Sequence, residues 1–230
     1  MVALCMPASF TPRLEILPTS QVQVWRELVD VPSGFTLYGG TGIALHLGHR
    51  VSIDFDLFTT QSFDPARLYR SLAFLREAEI LQQSQDTLTC LIDRGGPVQV
   101  SFFGLPDLGC VAAPHICPDN GLRVAALIDL AGMKAAVVQN RSQAKDYIDI
   151  AALIAHGIDL PSHLAAARII FGRSFNPQIT LKALCYFGDG DLGSLPASVK
   201  QQLSAAAAAV DLDQLPSLSA IRKHASNRRK

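Results

Sequence analysis

The chain has 230 residues, 49% of them hydrophobic, and it carries 20 basic and 20 acidic side chains for a formal net charge of zero. This length and composition allow a core for one large or two small domains without disulfides or metal ions to hold it together. The zero net charge excludes a strong overall field that would attract nucleic acid or an acidic membrane surface. Binding of either kind would require a local patch of charge.

The five cysteines form no CxxC pair, which favours buried free thiols over a disulfide framework or a zinc site. The first 17 residues contain neither a basic segment nor a long apolar run, and no later stretch is apolar for long enough to span a bilayer. We therefore expect no signal peptide, no membrane association and a cytoplasmic protein. The basic residues at the end, up to Lys230, are predicted to be a solvated tail.

The predicted elements change in character along the chain. The first half is predicted to contain a helix starting at Thr19 or Ser20, a strand at 35–38, a helix opened by a Gly-Gly turn, a strand at 51–58, a helix at 64–75, and a hairpin of strands 88–93 and 97–103. The second half is predicted to be helical, with helices near 127–139, 142–156, 161–171, 177–187 and 196–210. A Pro- and Gly-rich stretch at 106–121 separates them, so we predict domains over residues 1–115 and 116–230.

The segment 39–58, GGTGIALHLGHRVSIDFDLF, contains the first candidate site. Side chains alternate along a strand, so Asp54 and Asp56 are predicted to share one face, with Ser52 beside them and apolar residues opposite. Two neighbouring carboxylates favour a bound divalent cation such as Mg²⁺. The N–H groups of Gly40 and Thr41 at the start of the helix favour an anion. Together they predict a phosphoryl or nucleotidyl transfer site.

A second charged cluster lies in an otherwise apolar stretch at 129–150, DLAGMKAAVVQNRSQAKDYIDI. Lys134 has apolar neighbours on its predicted helix, so its amine either reaches water or meets an anion. Asp146 and Asp149 are three residues apart and share a helix face, and Lys145 can pair with Asp149 within the helix. A salt-bridged helix surface and a functional site are both open interpretations of this pattern.

The two segments together, in this order and at this separation, resemble the AbiEii/AbiGii-type toxin nucleotidyltransferases, within the DNA polymerase beta-like nucleotidyltransferase superfamily. The resemblance implies an α+β fold: a nucleotidyltransferase-like mixed β-sheet flanked by helices, followed by a C-terminal helical bundle. It also implies transfer of a nucleoside monophosphate from an NTP to an acceptor hydroxyl, with RNA such as tRNA as the acceptor and a cognate antitoxin protein as partner.

The resemblance also assigns roles to individual residues. Asp54 and Asp56 would bind Mg²⁺ as catalytic ligands, and Lys134 and Asp146 would be the catalytic residues of the second segment. The nucleotide would be bound by the turn and by hydroxyl and basic side chains: Gly39, Gly40, Thr41, Ser52, Lys134, Arg141 and Lys145.

This sequence departs from the superfamily pattern at one position. The resemblance implies a third carboxylate on the strand at 97–103, but the polar face of that strand carries Gln99 and Ser101, neither of which can accept a proton at neutral pH. Three alternatives stay open: Asp146 or Asp149 supplies the charge, transfer is slow, or the protein is a degenerate nucleotide- or protein-binding module. A phosphatase or glycosyltransferase would explain the DxD motif alone.

Overall fold

A computed structural model describes residues 10–222. It contains eight α-helices and seven β-strands among these residues, and the chain divides into two compact units. Among the described residues, the first unit comprises 10–106 and 113–126, and the second comprises 107–112 and 127–222. The basic tail predicted to be solvated lies, after Arg222, outside the described residues, as do the first nine residues.

The first unit contains three helices and all seven strands. In chain order they are α1 (Thr19–Glu27), β1 (Thr36–Leu37), α2 (Gly39–Leu47), β2 (Asp54–Thr59), α3 (Pro65–Ser71), β3 (Glu79–Ser84), β4 (Thr87–Asp93), β5 (Pro97–Gly104), β6 (His115–Ile116) and β7 (Arg123–Val124). The strands form one mixed sheet in the order β3-β4-β5-β2-β1-β7-β6. β2 runs parallel to β5 and antiparallel to β1, so β2 lies near the middle of the sheet.

One face of this sheet is packed into the core of the unit. Apolar residues alternate along β2 and β5, and those on the core face are fully buried: Phe55, Leu57, Val98, Val100 and Phe102. Residues of α1, α2 and α3 belong to the same buried cluster, with Trp25 as its largest side chain. The opposite face of β2 carries Asp54, Asp56 and Phe58, which are partly exposed.

The second unit is helical, as expected. Its helices are α4 (Leu127–Val137), α5 (Ala144–Ala155), α6 (Leu160–Phe171), α7 (Pro177–Ala183) and α8 (Ala197–Ala208). α4 packs mainly on α6, and Gly132 permits this approach because a Cβ there would lie 2.8 Å from the backbone nitrogen of Ala167. The mixed sheet with flanking helices and a helical second unit confirms the predicted fold class.

Several local predictions need correction. The strand predicted from Val51 begins only at Asp54, and Val51 and Ile53 are 60% and 53% exposed rather than part of an apolar face. The helix predicted over 64–75 is α3 followed by a separate 3₁₀ turn, Ala73–Leu75. Strand β3 and the two short strands β6 and β7 were not predicted, because none has a clear alternation of buried and exposed residues.

Candidate active site

Asp54 and Asp56 lie on the same face of β2, as the alternation predicts. Both side chains are partly exposed, whereas Phe55 between them is fully buried. On the neighbouring strand β5, Gln99 is the cross-strand partner of Asp54 and Ser101 is the partner of Asp56. The two carboxylates therefore stand two residues apart on a half-open sheet face, with a neutral strand beside them.

The Gly-Gly turn brings the start of α2 against Asp56. The backbone N–H of Tyr38, immediately before the helix, donates to the carbonyl oxygen of Asp56 at 2.8 Å. A Cβ built on Gly39 would lie 2.5 Å from Oδ2 of Asp56, and Gly39 has φ +70°, so glycine is required here for space and for backbone conformation. The N–H groups of the first turn, including those of Gly40 and Thr41, have no acceptor within the helix. A helix N-terminus and a carboxylate pair thus form one site.

The hydroxyls of Thr41 and Ser52 connect α2 to the start of β2. Thr41 donates its hydroxyl hydrogen to the carbonyl oxygen of Asp54, and its Oγ1 lies 2.8 Å from Oγ of Ser52. Both side chains are buried, at 2% and 6% exposure. Ser52 precedes the strand, so it does not share the face of the carboxylates by alternation. In this structure the two hydroxyls fix the position of Asp54.

The position across from Asp56 has no carboxylate. Ser101 is buried, and its Oγ lies 3.4 Å from the Thr89 hydroxyl and 3.4 Å from the amide nitrogen of Gln99. Among residues 10–222, no group of three or more His, Cys, Asp or Glu side chains could hold a metal ion. Two carboxylates nevertheless suit Mg²⁺, which typically binds one or two carboxylates and takes its remaining ligands from phosphates and water. The donor set of Asp54 and Asp56 fits that ion.

The second charged cluster is a buried ion network in the helical unit. Nζ of Lys134 on α4 lies 2.5 Å from Oδ1 of Asp146 and 2.7 Å from Oδ2 of Asp149, both on α5. The lysine side chain is 5% exposed and the two carboxylates are fully buried. Lys134 therefore meets the anions of the neighbouring helix, which is one of the two outcomes that its apolar surroundings allowed.

Arg141 completes this network from the surface. Its Nε lies 2.7 Å from Oδ2 of Asp146, and a terminal guanidinium nitrogen donates to Oδ1 at 2.9 Å. Burial alone would raise the pKa of Asp146, but the hydrogen bonds and charges of Arg141 and Lys134 outweigh it and lower the pKa below its ordinary value. Asp146 is therefore a carboxylate held between two cations.

An open cleft of about 730 Å³ lies beside Arg141 in the same unit. Lys145 and Arg141 line it, together with Asp189, Gly190 and Asp191.

The structure groups the predicted site residues in two sets. Lys134, Arg141, Lys145 and Asp146 lie in the helical unit, and the other set lies in the sheet unit: Gly39, Gly40, Thr41, Ser52, Asp54 and Asp56.

Sequence reasoning missed two features of these sets. The sequence allows a pair between Lys145 and Asp149 within one helix, but it gives no sign of the ion pair that the structure shows between Asp149 and Lys134 on another helix. Sequence reasoning also overlooked Phe58, which continues the Asp54 and Asp56 face two residues further along β2. The period-two alternation could have identified Phe58, but no local signal links Lys134 to Asp149.

Comparison with known proteins identifies the family. The family model described as "Nucleotidyl transferase AbiEii toxin, Type IV TA system" matches residues 24–223. The chain belongs to the AbiEii nucleotidyltransferase toxin family. A related protein of Aquifex aeolicus (strain VF5), aq_aa25, is uncharacterised and is 34% identical over 164 residues, which are 70% of this chain and 77% of that protein.

Two solved structures share the fold of this AbiEii-family protein. One is MenT4, the nucleotidyltransferase toxin Rv2826c from Mycobacterium tuberculosis H37Rv, with a TM-score of 0.59, 15% identity and 84% coverage of both chains. The other is a candidate nucleotidyltransferase from H. pylori, with a TM-score of 0.50, 16% identity, and coverage of 82% of this chain and 90% of that one.

Membership of the AbiEii family carries general consequences for this chain. The family consists of nucleotidyltransferase toxins of toxin–antitoxin systems, which implies nucleotide substrates and an antitoxin partner. No single helix within residues 10–222 is long and apolar enough to cross a membrane, and α5 with the following helix passes that test only as a pair bent by 115°.

Proposed function

We propose that this protein is a Mg²⁺-dependent nucleotidyltransferase of the toxin type, which transfers a nucleoside monophosphate from an NTP to an acceptor hydroxyl. The observation that supports this most strongly is the contact of the α2 N-terminus with the carboxylate pair, where Gly39 leaves no room for a Cβ beside Asp56. A phosphate chain needs N–H donors and a cation at the same place, and this site has N–H donors beside two carboxylates that can hold the cation.

Each residue of the sheet unit would have a distinct task. Asp54 and Asp56 would hold Mg²⁺, which when bound neutralises phosphate charge and favours ionisation of the attacking hydroxyl. The N–H groups of Gly39, Gly40 and Thr41 would orient the triphosphate. Ser52 would act through Thr41, whose hydroxyl bond to the backbone of Asp54 keeps the carboxylate in position.

In the helical unit, the phosphates would be bound by Lys134, Arg141 and Lys145. Asp146 would hold the side chains of Lys134 and Arg141 in position. The geometry adds a condition to this assignment. Lys134 is buried between two carboxylates, so a phosphate would have to compete with Asp146 or Asp149 for its amine. Arg141 and Lys145 are exposed beside the cleft, so of the three basic residues they are the ones open to an anion in solution.

The acceptor and partner form a further part of the proposal. We infer an RNA acceptor such as tRNA, a cognate antitoxin protein and action in the cytoplasm, where NTPs and tRNA are present. Family membership supports the toxin assignment. The zero net charge fits an acceptor bound by a small contact at its end rather than along an extended basic surface.

A labelling assay tests the proposed reaction. Purified protein is incubated with Mg²⁺, total RNA and each labelled NTP in turn, next to Asp54→Asn, Asp56→Asn and the exposed-site control Asp107→Asn. We expect label on RNA with the wild type and with Asp107→Asn, and none with the two site variants. Full activity in either site variant would contradict the assignment of the metal ligands. Purified tRNA in place of total RNA then tests the acceptor.

One observation favours a second candidate function. Ser101 occupies the position directly across from Asp56, so the site has two carboxylates where the superfamily pattern implies three. A catalytically degenerate protein that binds nucleotide or another protein is therefore the alternative. It predicts measurable NTP binding by calorimetry with no label transferred and no pyrophosphate released under any NTP.

A further inference from the structure

A row of aromatic rings lies on the same sheet face as the carboxylate pair. Phe58 follows Asp56 by two residues on β2, and its cross-strand partner on β5 is Phe103, with ring centroids 5.0 Å apart. Tyr38, at the end of β1, packs its ring against Phe58 at 5.3 Å and a steep angle of 67°. We call these three residues the aromatic row.

The two phenylalanines are not part of the core. The other face of the same strands is filled by side chains at 0% exposure, such as Leu57 and Phe102. Phe58 and Phe103 are partly exposed instead, and the cluster that fills the core of this unit does not include them. Adjacent aromatic rings left partly open to solvent on a sheet are characteristic of surfaces that stack planar ligands.

The aromatic row is continuous with the proposed phosphate and metal site. Tyr38 directly precedes Gly39, where α2 starts, and its N–H bonds the carbonyl oxygen of Asp56. Phe58 lies about 6.7 Å beyond Asp56 along the strand, at the usual rise of about 3.3–3.4 Å per residue. A ribose separates the base from the α-phosphate by a distance of the same order. One nucleotide can therefore reach both places.

The residues that pair with the two phenylalanines on the strands to either side are uncharged, and Arg123 on β7 comes next along the row. Along the same cross-strand row, Thr36 pairs with Phe58 and Thr87 pairs with Phe103. Asp54 and Asp56, which carry the negative charge, both lie on one side of the phenylalanine rings. A ligand that is neutral and planar at one end and polyanionic at the other matches this division, provided that Mg²⁺ accompanies its phosphates.

We propose that Phe58 and Phe103, bordered by Tyr38, form the stacking platform for the base of the nucleoside triphosphate. This inference rests on the proposed function and adds the position of the base. Every nucleobase has a π-face, so stacking alone tolerates all four bases. The larger rings of purines cover more of two phenylalanines, so we expect ATP and GTP to bind more tightly than CTP and UTP.

The test compares two ligands that share phosphates but not a base. Binding of ATP and of inorganic tripolyphosphate is measured by calorimetry with Mg²⁺ for the wild type, Phe58→Leu, Phe103→Leu and Phe58→Tyr. We expect each leucine variant to weaken ATP binding by about fivefold to a hundredfold, the range typical of a lost base stack. Tripolyphosphate binding is expected to stay unchanged, and Phe58→Tyr, which keeps the ring, to retain ATP affinity.

Phe63→Leu is the matched control. Phe63 is also partly buried in the sheet unit, but its ring contacts Phe35, a residue of the core, at 5.4 Å. We expect this variant to bind both ligands as the wild type does. Thermal unfolding of every variant shows whether the leucine substitutions leave the unit folded.

Four results would overturn the proposal: unchanged ATP affinity in both leucine variants, an equal loss for tripolyphosphate, the same loss in Phe63→Leu, or no binding of ATP to the wild type. A raised KM for RNA with unchanged ATP affinity would also overturn it, by placing a base of the acceptor on the rings. The labelling assay separates the two proposals. If label is transferred but ATP affinity does not depend on Phe58 and Phe103, only the stacking platform is refuted. If ATP affinity depends on these rings but no label is transferred, only the proposed nucleotidyltransferase activity is refuted.

Discussion

Replacing Lys134 by methionine removes the positive charge between two fully buried carboxylates. The side chains have similar length, so the substitution keeps most of the packing and deletes the ion pairs to Asp146 and Asp149. Loss of one partner of a buried ion pair typically costs about 3–5 kcal/mol, because the remaining charge stays desolvated. Arg141 still pairs with Asp146, so we expect a loss of about 3 kcal/mol, at the lower end of that range.

The expected loss is measured as a change in the free energy of unfolding, by urea titration followed by circular dichroism. For a protein of this size, about 3 kcal/mol corresponds to a fall of about 6–12 °C in Tm. Lys182→Met is the matched control, because Lys182 is exposed on α7 and surface substitutions usually change stability by less than about 0.5 kcal/mol.

A second substitution separates charge from packing. The double variant Lys134→Met/Asp149→Asn removes one of the two carboxylates that lost their ion pair with Lys134, so we expect it to recover part of the stability lost in Lys134→Met. A loss below about 1 kcal/mol in Lys134→Met would refute the reasoning. It would mean that water or a rearranged Arg141 stabilises the negative charge of the buried carboxylates when Lys134 is absent.

Three further predictions concern other sites. Gly39→Ala should lower Mg²⁺ and NTP affinity at least tenfold in calorimetry, because its Cβ would be 2.5 Å from Oδ2 of Asp56 and φ is +70°; unchanged affinity would argue against a site here. Ser101→Asp, across from Asp56, should tighten Mg²⁺ binding and lower Tm without metal, since it adds a third carboxylate; weaker Mg²⁺ binding would contradict this. His163 is fully buried, and burial lowers its pKa from 6.5 to about 4. The unfolded chain therefore takes up a proton below pH 6.5 that the folded protein does not, so stability should fall by about 2 kcal/mol between pH 7 and pH 5 in urea titrations. His163→Leu should lack this contribution, and an equal slope in that variant would exclude His163 as its source.

Local patterns predicted much of the fold. The hairpin at Arg94-Gly95-Gly96 is present as β4 and β5, with Val98, Val100 and Phe102 on the core face. Its prediction succeeded because turn residues and period-two alternation act within a few residues of each other. The domain boundary between residues 115 and 116 stays a prediction.

The carboxylate pair and the glycine turn could be predicted from the sequence, but the ion network around Lys134 could not. Asp54 and Asp56 follow from alternation along one strand, and the Gly-Gly turn follows from composition. The burial of Lys134 does not, because it depends on how α4 and α5 pack. A lysine among apolar residues fits both a side chain that reaches water and a buried ion pair, and only the contacts of Asp146 and Asp149 decide between them.

The amino-acid sequence by itself determined the elements that rest on local signals: the paired aspartates, the glycine turn before them and the helical second half. Only the tertiary structure decided the strand order, the register that puts Ser101 directly across from Asp56, and the aromatic row next to the acids. The physical reason is that alternation assigns residues to the two faces of a strand but does not say which strand lies beside it. Which strands pair in a sheet depends on how residues far apart in the sequence are buried together, and this is a property of the whole folded chain.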